Sequence, residues 1–175
     1  MFLDQTLSFN TTLGVAQTVS ATADSQAIVD ITGAGSGNAP AMINGFPATN
    51  TAIGEDYGAG DGEAIPHVLV TIPTTGTGTG TLTISVASAP DDGSYGQGTY
   101  TTLVTTPATA GTTYTAGTVI DIPLPPERTG TAMPRFYKLI YTVSGTASVP
   151  VIAELALNPA QVNTMRQYAN NYIVV

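Results

Sequence analysis

Cysteine is absent from the 175 residues, which excludes disulfide frameworks, thiolate zinc sites, cysteine nucleophiles and iron-sulfur clusters together. Tryptophan is absent too, and histidine occurs once, as His67. A transition-metal centre needs more nitrogen ligands than the chain owns. Lys and Arg total 4 against 12 Asp and Glu, for a net charge of -8. A chain with that balance repels phosphate backbones and anionic membrane surfaces, so neither nucleic acid nor membrane is an expected partner. Only 9% of residues are charged, well under the roughly 25% of an average soluble domain. No run approaches 18 apolar residues. The opening, residues 1–10, carries Asp4 and lacks a basic region followed by an apolar one, so no secretory signal is read there.

What is present is threonine, 30 residues of it, with 19 glycines, 12 prolines and 42% hydrophobic residues. An apolar content that high supports a packed core despite the low charge. The length favours one undivided domain, able to remove roughly 70% of its unfolded surface from water. Leu82, Ile84 and Val86 alternate with Thr81, Thr83 and Ser85; Ile120, Ile122 and Leu124 alternate before Pro125; Val149, Val151, Ala153, Leu155 and Leu157 do so with Glu154 facing out. That period of two predicts half-wet strands. Further strands are expected within 13–22, 27–32, 67–73, 99–105 and 135–144. The sum is an all-β, single-domain antiparallel β-sandwich, jelly-roll-like, with about eight strands and long Gly/Thr-rich loops. A turn or two of helix is expected within 160–168, after Asn158 and Pro159.

Three features stand apart from that pattern. In 135–144 both parities are apolar, Tyr137, Leu139, Tyr141 and Val143 on one and Phe136 and Ile140 on the other. One face of an antiparallel sheet is normally solvated, so the second face needs a cover, either a lid from residues 33–66 or another subunit. The run PTTGTGTG at 73–80 reads as a flexible turn whose glycines allow positive φ. All four basic residues, Arg128, Arg135, Lys138 and Arg166, fall after position 127, while 11 of the 12 carboxylates precede 128. They suggest a docking face, although Arg135 and Lys138 have opposite strand parity.

The sequence offers little catalytic chemistry. No G-x-S-x-G elbow accompanies His67, which is expected to be a satisfied structural imidazole. Gly33-x-Gly35 leads to Asn38 rather than a third glycine, and no lysine follows a Gly-rich turn. Glu55, Asp56, Asp61 and Glu63 crowd together with glycines. An oxygen-only cluster with glycines suits a hard cation such as calcium, but the spacing does not match an EF-hand, so a solvated acidic loop is favoured over a calcium site and no cofactor is expected.

Three stretches carry a resemblance. They are Met1-Phe2-Leu3-Asp4-Gln5-Thr6-Leu7 with Gln17 to Ser25 (QTVSATADS) and Ile28-Val29-Asp30; the strand RFYKLIYTVSG from Arg135; and Gln167-Tyr168-Ala169-Asn170-Asn171-Tyr172. In order and spacing they resemble the capsid cement (decoration) proteins of tailed phages of the Bordetella phage type. Together they span about a third of the chain. The resemblance implies a jelly-roll sandwich without catalytic residues. It would lie on the outer face of a virion capsid assembled in the host cytoplasm, and would bridge neighbouring major capsid protein subunits. The partners implied are that shell protein and further copies of this chain, as a dimer or trimer. Expected contacts are an N-terminal arm (about 1–12) with Phe2, Leu3, Leu7 and Phe9, and a C-terminal segment (about 158–175) with Tyr168, Tyr172, Ile173, Val174 and Val175. To these are added Arg128, Arg135, Tyr137, Lys138, Tyr141 and Arg166. Two other readings stay open: a carbohydrate-binding β-sandwich on a virion or cell surface, which the absence of Trp disfavours, and a surface-layer, fibre or pilus subunit.

Overall fold

A computed structural model describes residues 8–12, 14–30, 67–94, 96–125 and 134–156. They form ten strands: β1 (Gln17–Val19), β2 (Ala23–Asp24), β3 (Val29–Asp30), β4 (His67–Thr71), β5 (Thr81–Pro90), β6 (Thr101–Thr105), β7 (Thr109–Ala110), β8 (Val119–Pro123), β9 (Pro134–Ser144) and β10 (Val149–Ala156). One sheet has the order β1-β10-β4-β8. The other has the order β2-β9-β5-β6, with β3 also pairing β9 and β7 pairing β5. Every ladder is antiparallel, and the chain switches sheets repeatedly, as a sandwich core requires. The eight expected strands are present; β2 and β7, of two residues each, are the additions. The short helix expected within 160–168 lies outside the described residues.

The period-two residues make the core. Leu82, Ile84 and Val86 of β5 and Leu139 and Tyr141 of β9 face Val68 and Val70 of β4 and Val149, Val151 and Ala153 of β10, all buried. Two sheets each wet on one side must bury their other sides against one another, and this alternation encodes that arrangement. Pro90 and Pro123 close β5 and β8, where a missing N–H is tolerated.

The Gly-Thr run is a correction to the flexible turn expected. Gly76 N donates to Tyr114 O at 2.8 Å, Thr77 and Ser148 exchange backbone hydrogen bonds at 2.8 Å, and Gly111 N donates to Gly80 O at 2.8 Å. The run is therefore sewn between the β9–β10 hairpin and the 3-10 turn Gly111–Thr113. A methyl on Gly78 would sit 1.8 Å from Thr146 O, and one on Gly80 2.0 Å from Ser144 O. At Gly80 the glycine serves close backbone approach rather than conformational freedom; at Gly78, with φ +86°, it serves both.

Candidate docking surface

The strand with two apolar faces is β9, which pairs β5 along most of its length and β2 and β3 on its other side. Tyr137, Leu139 and Tyr141 point inward and are buried. Phe136 has the other parity and is also fully buried, within the single chain. No second subunit is needed to cover it. Between Ala89 and Pro90 the β5–β9 register shifts, Ala89 facing Phe136 and Pro90 facing Pro134, so Arg135 is an extra, bulged residue. Its guanidinium lies 4.7 Å from the Phe136 ring centroid. Nε donates to Asp30 Oδ1 at 3.1 Å and Nη2 to Asp30 Oδ2 at 3.0 Å, while Nη1 binds Asp91 Oδ2. Asp30 is paired with Phe136 across β3–β9, which places the carboxylate on the face Phe136 occupies. Simple parity put Arg135 and Lys138 on opposite faces; the bulge brings the Arg135 guanidinium round to Lys138's side.

Lys138 is engaged as well. Nζ donates to Asp24 Oδ2 at 2.7 Å and lies 4.4 Å from the Tyr100 ring centroid. Burial, and then the Asp24 charge, push the Tyr100 hydroxyl up to about 12. Hydrogen bonding to Asp30 raises Arg135 above its already high ordinary value, against the cost of burial and with Asp91 adding to it. On the far sheet, His67 Nδ1 lies 2.5 Å from Asp121 Oδ1, so the one imidazole is paired on the outer side of β4 and β8, consistent with a structural role.

These placements correct several expected contacts. Phe9, Tyr137 and Tyr141 are core residues, because strand parity and the Phe9 N–H bond to Ala153 O at 2.9 Å turn them inward. Arg135 is spent inside the chain, its side chain only 6% exposed. Lys138 is half-buried in its own ion pair. Phe2, Leu3, Leu7, Arg128, Arg166, Tyr168, Tyr172, Ile173, Val174, Val175 and the acidic loop residues Glu55, Asp56, Asp61 and Glu63 lie outside the described residues. The partners Asp24, Asp30 and Asp91 were not legible beforehand; their only signal was that scarce cations in a surplus of carboxylates find partners.

Ser8–Asn10 extends the four-stranded sheet. Ser8 bridges Glu154, and the Asn10 side chain donates to Val151 O at 3.1 Å and accepts from Ala153 N at 2.9 Å. Ser8, Phe9 and Asn10 are therefore part of the fold, while Thr11 and Thr12 of the expected arm are exposed. Among the described residues the exposed large apolar side chains are Val15 and Ile28. They sit in two loops tied together by Ala27 N to Phe9 O at 2.9 Å and Gln26 N to Gln17 Oε1 at 3.2 Å. Among the described residues no three His, Asp or Glu side chains stand where they could hold a metal ion, and no helix is long and apolar enough to cross a membrane. Among the described residues, what the surface offers a partner is threonine hydroxyls and the exposed Val15 and Ile28. No known family model matches the chain and no curated protein matches it significantly.

Proposed function

We propose that this chain is a capsid cement protein: a non-catalytic structural protein that binds the outer surface of a phage capsid and bridges neighbouring major capsid protein subunits. The observation that carries the reading is the resemblance of three stretches in order, one of which, RFYKLIYTVSG, supplies the interior strand β9. Within it Arg135 and Lys138 make the ion pairs of the outer face and Leu139 and Tyr141 fill the core. Residues that match the family pattern are thus ones a shared sandwich would need. The β-sandwich of the described residues supports the fold half of the reading.

The action is mechanical. A shell under pressure from packaged genome fails when neighbouring subunits separate, and a bridging protein adds contacts that must break first. Weak contacts joined through one rigid body reinforce each other through effective concentration. The arm before Ser8 and the segment from Tyr168 to the end are assigned the gripping role, since chain ends can add a strand to a partner's sheet. Purified protein incubated with undecorated phage heads and pelleted with them tests this. Saturable co-sedimentation is expected; protein left entirely in the supernatant contradicts the reading.

A further inference from the structure

Beyond the end of β5 the chain turns through Asp91, Asp92 and Gly93, and Asp92, Gly93 and Ser94 are exposed. An aspartate followed by glycine carries a reactivity of its own. Glycine has no side chain to hinder its nitrogen, so that nitrogen attacks the Asp carboxyl carbon and an N–Cγ bond forms. One carboxyl oxygen leaves as water with the carboxyl and amide protons. Water then opens the cyclic imide at either carbonyl. Opening at the former peptide carbonyl leaves the backbone running through Cγ, as an isoaspartate. One water is lost and one regained, and nothing is oxidised or reduced.

The loop opposes the first step at both reacting groups. Gly93 N, the nucleophile, donates to Asp91 Oδ1 at 2.7 Å. A carboxylate against that N–H disfavours the negative charge the nitrogen must develop. Asp92 Oδ1, on the electrophile, accepts from Ser94 N at 2.7 Å and from Gly96 N at 2.9 Å. Ring closure swings the Asp92 side chain into the plane of its own following peptide, and a carboxylate tethered by two amides resists that rotation. The tethers are themselves anchored. Asp92 N donates to Gly96 O at 3.0 Å and Gly98 N to Pro90 O at 2.8 Å, closing the loop. Arg135 Nη1 holds Asp91 Oδ2, and Arg135 is fixed in turn by both oxygens of Asp30. Asp91 therefore keeps one oxygen on the guanidinium and the other on the attacking nitrogen.

We propose that Asp92–Gly93 is a spontaneous isomerisation site, held shut in the folded chain by the Arg135–Asp91–Gly93 series of contacts and opened when that series is broken. A reaction of this kind depends on bringing the attacking nitrogen and the carboxyl carbon into line, so small departures in geometry carry large effects on rate. The buried ion pair of Arg135 and Asp30 thus reaches, through Asp91, a covalent step at an exposed turn. The inference does not rest on the capsid reading, because the reaction needs only the chain and water.

Peptide mapping of the full chain, incubated in mildly acidic buffer and sampled over weeks, tests it by counting isoaspartate at position 92. Accumulation is expected to be about tenfold slower in the native chain than in the same chain in guanidinium chloride. Arg135→Lys keeps the charge but loses the planar fork, and is expected to raise the native rate several-fold, with circular dichroism showing that the variant is folded during the incubation. Gly96→Ala sets a methyl against the Asp92 carboxylate and lifts it off its amides. It is expected to raise the rate as well with the melting curve unchanged, and it decides the matter should the Arg135 variant fail to fold. Asp92→Glu, whose longer side chain closes its ring far more slowly, should abolish the signal. A native rate equal to the denatured one, or a native rate that neither Arg135→Lys nor Gly96→Ala raises, would overturn the inference.

Discussion

Arg135 shows how one residue can be misassigned by composition and then explained by geometry. As one of four cations in an acidic chain it suggests an outward-facing anchor; in the fold it ties β3, the end of β5 and β9 together through Asp30 and Asp91. Removing one partner of a buried ion pair strands the remaining charges, at about 3–5 kcal/mol. Arg135→Ala is therefore expected to lower stability by about that amount, read from the urea midpoint, and Arg135→Lys to recover only part of it because the planar fork is lost. Tyr100 provides the pH test. Its hydroxyl is pushed from 10.0 to about 12, first by burial and then by Asp24. The folded-state value lies above the unfolded one, so the neutral phenol stabilises the fold fully below pH 10 and that contribution fades as pH rises toward 12. Ultraviolet titration of the folded protein should show Tyr100 ionising later than a free tyrosine, and Asp24→Asn should bring that step down.

At the scale of elements, close backbone approach predicts the largest effect from the smallest substitution. Gly80→Ala places a methyl against Ser144 O, and overpacking of this kind costs about 1–3 kcal/mol. Thermal melts should show the loss, with Gly78→Ala at least as damaging because its φ of +86° adds backbone strain. The alternation in β5, β8 and β10 made those strands legible, since one parity is the more buried and the other carries Thr81, Thr83 and Ser85 in β5, Asp121 in β8 and Glu154 in β10. β2 and β7 were not legible, because two residues carry no period. The Gly-Thr run was misread for a related reason: glycine needed for freedom and glycine needed for contact look alike in a sequence. The β9 bulge is the third case, because a single extra residue reverses the face that parity assigns to Arg135.

For the whole molecule, Arg135 and Lys138 each neutralise carboxylates of their own chain, so neither brings a spare positive charge to a docking patch. Grip on a shell should then come mainly from the chain ends and depend only modestly on ionic strength. Deleting residues 170–175 is expected to reduce retention on capsids in washed pellets, while the melting curve of the free protein stays near that of the full chain. Of the candidate contacts, the sequence located the resemblance and the strand that bears it, but could not tell which aromatics the sandwich itself would consume. The central claim is that this protein strengthens a shell by bridging it. The most direct measurement is the temperature at which genome-filled phage heads burst, with and without added protein. The account predicts a higher bursting temperature that saturates as binding sites fill; heads that carry the protein yet burst at the temperature of bare ones would contradict it.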